Sequence, residues 1–155
     1  MPKKIVFLSP MCLLDTRCGA ALEMRILLSW LAEAGWEAYA LTASLFDGQE
    51  EFPLGSVIGP QNARKENQGR VITLYREGIR HYIYYTASTW GRNLKQEEAR
   101  DILGLAQHKL AQIKPDVVIG YGSDVLSQKL WEIARKNARQ MIFYLANSNY
   151  RDADL

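Results

Sequence analysis

Cysteine and histidine are scarce, with two of each in 155 residues. Cys12 and Cys18 stand six positions apart, and His81 and His108 are remote from both in sequence. A zinc site needs about four ligands, so this distribution excludes a metal centre. The cysteines are expected as free thiols in a reduced cytoplasm. Long apolar runs are missing too. Ile5-Val6-Phe7-Leu8 is shorter than the roughly 7–15 residues of a signal-peptide core. Nothing approaches the ~20 apolar residues of a membrane span. A cytoplasmic protein without a transmembrane segment is the expectation. Charge of one sign is also lacking: the formal net charge is +2, which excludes a polybasic nucleic-acid or membrane binder.

What is present is the composition of an ordinary globular domain, 48% hydrophobic and 23% charged. The length suits one domain, large enough to bury roughly 68–70% of its unfolded surface. Residues 5–8 form a continuous apolar run closed by Ser9-Pro10, as in a strand buried on both faces. Ala20, Met24, Leu27, Leu28 and Leu31 then recur on one helical face, and Gly35 suits the left-handed position after a helix. Residues 38–42 give a second strand. Strand, helix and strand together begin a parallel sheet.

The pattern dissolves over residues 46–70, which are polar and punctuated by Pro53, Gly55, Gly59 and Pro60. A mobile connection is expected there, with a short strand at residues 56–58. Residues 71–75 and 79–85 flank Arg76-Glu77-Gly78, which predicts an antiparallel hairpin. A long helix over residues 94–113 follows, stopped at Lys114-Pro115-Asp116. Val117-Val118-Ile119-Gly120 is another buried strand. It leads into a helix capped by Ser123 or Asp124, and residues 141–145 close the series. The alternation predicts an α/β, Rossmann-like, doubly wound and mostly parallel sheet in a single domain.

Open parallel sheets bind ligands beyond the carboxyl ends of their strands, at a topological switch point. Three segments fall there: residues 10–21, 121–124 and 146–150. In the first, Gly19-Ala20-Ala21 opens a helix, so free amides and the positive end of its dipole suit a phosphate or sugar hydroxyl. Arg17 can add a charge-assisted contact. The alternative is that Gly19 only lets the helix pack closely on the sheet. Neither G-x-G-x-x-G nor a Gly-Lys-Ser/Thr loop is present. Cys18 sees no partner base, so no nucleophilic role follows. Glu50/Glu51 and Glu97/Glu98 fit solvated faces, the second pair in the first turn of a helix. Tyr82, Tyr84, Tyr85 and Trp90 can stack on a sugar, but sheet packing accounts for most of them.

The ordered segments resemble a known family. Residues 4–10, a loop, and Cys18-Gly19-Ala20-Ala21-Leu22-Glu23-Met24-Arg25 resemble the opening of family-four glycosyltransferases, whose fold is GT-B. Residues 31–42 are similar to that family's Leu-Ala-x-x-Gly-His-Glu-Val-x-Val-Leu-Thr segment, and Lys114-Pro115-Asp116-Val117-Val118 to its Lys-Pro-Asp-Val-Val strand. Asn147-Ser148-Asn149-Tyr150 after the last strand resembles the next element.

The resemblance implies the N-terminal, acceptor-side half of a GT-B enzyme. Its activity would be retaining transfer from a nucleotide-sugar co-substrate, with no metal or other cofactor. Arg17, Cys18, Gly19, Ala20 and Ala21 would lie near the transferred sugar or donor phosphates. Tyr121, Gly122, Ser123, Asp124 and Asn147 would line the acceptor side. The acceptor would be a glycan, a lipid-linked sugar or a small molecule. The partner would be a C-terminal donor-binding domain in the same or another chain, since the 155 residues correspond to the first half alone. Two positions depart from the family: Cys18 replaces a glycine, and Ala146 stands where many members carry a histidine. The other readings are a non-catalytic half of a split enzyme and a stand-alone Rossmann-like nucleotide binder.

Overall fold

Residues 1–144 are described by a computed structural model of the chain. Their centre is β1 (Lys4–Leu8), flanked by β2 (Glu37–Ala43) and β5 (Val117–Gly120), both parallel to it. Beyond β2 lie β4 (Ile79–Tyr84) and the antiparallel edge strand β3 (Val71–Arg76); beyond β5 lies β6 (Gln140–Phe143). Among the described residues the sheet has six strands in the order β3-β4-β2-β1-β5-β6. The chain runs outward from β1 on one side to β2, and returns to its other side at β5. The switch point therefore lies between β1 and β5.

β1 is apolar on both faces because helices cover both. Ile5 and Phe7, with Ala38, Ala40, Val117 and Ile119, pack under α1 (Gly19–Glu33) through Ala21, Met24 and Leu28. Val6 and Leu8, with Leu41 and Val118, pack under α3 (Gln96–Ile113) and α4 (Val125–Asn137). Alternation along one strand thus serves two layers.

The boundaries have local causes. Gly35 follows α1 at φ +95°, as the sequence suggests. Lys114 ends α3 in the left-handed region, with Pro115 next. Glu77 and Gly78, at φ 55° and 78°, make the tight turn of the expected hairpin.

Within residues 46–70 the short strand expected at 56–58 is not formed. Residues 56–58 are helical and not a strand, forming most of α2 (Gly55–Ile58), and a turn of 3-10 helix spans Lys65–Asn67. Leu54, Val57 and Ile58 are buried against Ile72 and Ile83 of the hairpin, with Cys12 and Phe46 in the same cluster. This polar stretch hides a few apolar anchors that fasten it to the sheet edge. The last strand begins at Gln140 and not at Met141, and Leu145, assigned to it from sequence, lies outside the described residues.

Candidate functional site

The loop leaving β1 is packed, not open. Cys12, Leu13 and Leu14 are buried, and Cys12 N–H donates to the Leu45 carbonyl at 2.7 Å. Asp15, only 1% exposed, organises the turn. Its Oδ1 accepts from Arg17 N–H at 2.8 Å and its Oδ2 from Asp47 N–H at 2.6 Å. The first bond closes an Asx-turn, and the second ties the loop after β1 to the loop after β2. Sequence reasoning missed Asp15, although an aspartate two residues before Arg17 is the local signal for such a turn.

Arg17 follows this tie. Its guanidinium lies 4.7 Å from the Phe52 ring centroid, and its Nε is 4.0 Å from Asp15 Oδ1. The same guanidinium crosses Gly48, 3.3 Å from where a Cβ would stand. Arg17 thus braces residues 47–52 from the β1 loop.

The amino end of α1 is bare. Cys18, extended at φ −102°, makes no side-chain cap bond, and the first turn holds no acid. The N–H groups of the first turn are left over by helix geometry, so Gly19, Ala20 and Ala21 present them with the positive end of the dipole. A Cβ at Gly19 would meet nothing within 4 Å. Close helix packing therefore does not require glycine here; the space in front of it is open.

The turn after β5 meets this helix end. Tyr121 stacks on Phe7 of β1 at 6.5 Å between centroids and lies 5.9 Å from Tyr144. Cys18, Ala21 and Tyr121 line one small cavity with Phe7, Met11, Cys12, Leu13 and Asp15. Its volume is about 10 Å³, room for about one water. At this end of the sheet, anything larger than a water has room only over this floor, in front of the exposed α1 terminus. The Tyr144 hydroxyl donates to Glu23 on α1, which pushes the phenol up to about 12, with burial adding to the shift. Tyr144 thus joins the Tyr121 ring to α1 through Glu23, a link the sequence did not single out.

Gly122, Ser123 and Asp124 hold the other lip. Gly122 has φ +115°, and a Cβ there would fall 2.3 Å from Ser127 Oγ. Asp124 Oδ1 accepts from Ser127 N–H at 2.7 Å, so Asp124 and not Ser123 caps α4. Ser123 is exposed and its carbonyl accepts from Gln128 Nε2 at 3.2 Å. Cys18, Ala21 and Tyr121 are thus brought together, Gly19 and Ala20 open beside them, and Arg17 is turned to the β2 loop. Asn147 and Ala146 lie outside the described residues.

The remaining candidates have structural partners. Burial pushes the Cys12 thiol up to about 12, so it is a core group and not a nucleophile. Neither cysteine is in a disulfide. Two of the glutamates expected on solvated faces are tied down. Glu51 accepts from Thr89 N–H at 2.8 Å and from the Ser88 hydroxyl, which holds its carboxyl below the usual range. Glu98 accepts from the N–H groups of Lys95 and Ala87 at 3.0 and 2.7 Å. Tyr84 and Tyr85 are buried and donate to Asp101 and to the Ala63 carbonyl. Tyr82 carries the Lys109 ammonium over its ring, and Trp90 the Arg92 guanidinium.

Two roomier hollows, of about 300 and 340 Å³, share Trp36 at the opposite, amino ends of the strands. Among the described residues no group of three His, Cys, Asp or Glu side chains is placed to hold a metal ion, and no helix is long and apolar enough to cross a membrane. No protein-family model matches the sequence, and no curated protein matches it.

Proposed function

We propose that the chain is the acceptor-side domain of a retaining GT-B glycosyltransferase that uses a nucleotide-sugar donor. The observation that carries the reading is the uncapped amino end of α1 at the β1/β5 switch point, open in front of Gly19 and joined to Tyr121 by a common floor. Preorganised amides at such a terminus stabilise negative charge as it develops on a departing phosphate. The segment resemblance supports the same reading, since it places Gly19–Ala21 beside the donor and Tyr121–Asp124 on the acceptor side. The donor nucleotide itself is assigned to a second domain, in the same or another chain.

A second reading, assembly with a separate donor-domain chain, is favoured by the outer face of α1. Leu22, Ile26, Leu27 and Trp30 are 50%, 41%, 39% and 66% exposed there, more apolar surface than a helix facing only water usually carries.

Transfer assays test the main reading. The purified 155-residue chain is expected to transfer no sugar by itself and to do so when joined to a donor-binding domain. In that combination Gly19→Val, which fills the open space before the amides, lowers the rate roughly tenfold or more without unfolding the chain. Transfer by the chain alone, or a rate indifferent to Gly19→Val, would sink the proposal.

A further inference from the structure

Among the described residues β3 pairs with β4 alone, residue for residue from Val71 opposite Tyr84 to Arg76 opposite Ile79, so this edge of the sheet carries no bulge. Main-chain groups along an antiparallel strand turn alternately towards the partner strand and away from it. Tyr85 N–H donates to the Arg70 carbonyl at 2.9 Å, and Glu77-Gly78 closes a two-residue turn after Arg76. Both ends fix the same phase. Ile72, Leu74 and Arg76 bond inward to β4, whereas Val71, Thr73 and Tyr75 direct their N–H and C=O groups outward. Among the described residues those outward groups meet no other main chain and no side chain.

The side chains divide in the same way. Ile72 and Leu74 pack on α2 with Leu54, Val57 and Ile58. Val71, Thr73 and Tyr75 stand on the opposite face and are exposed, Tyr75 by 71%. The devices that usually blunt an edge are missing: Val71 to Tyr75 includes no proline, no lysine and no other charge. An open edge of this kind is a template for a further strand.

The strand is complementary to itself. Antiparallel pairing about Thr73 sets Val71 of one copy against Tyr75 of the other, twice, and Thr73 against Thr73. All three outward residues then sit in hydrogen-bonding pairs, each exchanging two bonds. A β-branched residue meets an aromatic ring at both ends of that face, threonine meets threonine between them, and Ile72 meets Leu74 on the other face. Centring on Ile72 or Leu74 instead would set Tyr75 against Gly69, or Val71 against the turn residue Glu77, both outside the strand. Arg70 falls opposite Arg76, but the Arg76 guanidinium is turned beneath the edge to donate to the Val57 carbonyl. Each contact thus recurs with its partners exchanged, as a two-fold interface requires.

We propose that β3 pairs with β3 of a second copy of this chain across a two-fold axis at Thr73, joining the two sheets edge to edge. The interface lies three strands away from β1 and does not depend on the transferase reading.

Sedimentation velocity of the 155-residue chain tests it, in about 0.3 M sodium chloride to screen the facing arginines. A reversible monomer–dimer equilibrium is expected between roughly 1 and 200 μM. Thr73→Pro removes an outward donor and spares the β3–β4 ladder, so it is expected to abolish the dimer with an unchanged circular dichroism spectrum. Hydrogen exchange provides a readout that needs no variant. The Val71, Thr73 and Tyr75 amides are expected to be protected at the high concentration and unprotected at the low one, with Ile72 and Leu74 protected at both. A chain monomeric throughout, a dimer that survives Thr73→Pro, or outward amides whose exchange ignores concentration would overturn the proposal.

Discussion

Two glycines on the candidate cleft have opposite roles. Gly122 is imposed by the backbone: at φ +115° it makes room for the Ser127 side chain, which a Cβ would strike. Gly122→Ala is expected to cost about 1–3 kcal/mol through backbone strain and overpacking, measured as a lower urea midpoint. Gly19 has an ordinary φ and open space, so Gly19→Ala should leave stability within ~0.5 kcal/mol. If Gly19→Ala unfolds the chain as readily as Gly122→Ala, the open front of α1 is misdescribed. Sequence alone located both glycines after strands, yet could not separate them, because neither φ nor the neighbour that a Cβ would strike is written locally. The tie from Asp15 to Asp47 escaped for a similar reason, since the two are 32 residues apart.

Elements were legible where periodicity is long and caps are local. The helix face of α1, the hairpin turn at Glu77-Gly78 and the proline stop after α3 all follow from short-range chemistry. Asp124 as N-cap of α4 belongs to the same class. Asp124→Ala is expected to lower stability by about 1 kcal/mol with an unchanged m-value; no loss in a urea titration would show that the cap is dispensable. Residues 46–70 were opaque because α2 has four residues, too few to display a helical period. Its burial depends on Ile72 and Ile83, which come later in the chain, so tertiary packing decides a segment whose own composition points to loop.

At the scale of the molecule, the sheet order puts β1 at the switch point and α1 over β2 and β4. The same arrangement buries His81, and it makes the fold acid-sensitive. Burial first, then the charges of Arg76 and Arg25, push the His81 imidazole down to about 4, against about 6.5 in an unfolded chain. Above about 6.5 neither state holds the proton and stability is complete. As pH falls from there towards 4, the unfolded chain takes up a proton that the folded one refuses, and up to about 3 kcal/mol is lost. Urea midpoints at pH ~7 and ~4.5 should show most of that loss, and His81→Gln should flatten it. A native midpoint that stays level across this range would mean that His81 is protonated in the fold.

Sequence conveyed the strand–helix alternation and hence the switch-point cleft. It did not convey that the β1 loop would close over its own floor, since that depends on Leu13, Phe7 and Tyr121 meeting across three segments. The cleft is therefore a surface over a filled base, with α1 amides on one side and the β5 turn on the other. Backbone amide shifts of the 155-residue chain, followed by NMR during titration with glycan acceptors and, in the presence of a donor-binding domain, with a nucleotide-sugar, test this account most directly. The account predicts perturbations concentrated at Gly19, Ala20 and Ala21 and at Tyr121, Gly122 and Ser123. Shifts confined to the opposite strand ends around Trp36, Tyr39 and Tyr75, or none at saturating ligand, would contradict it.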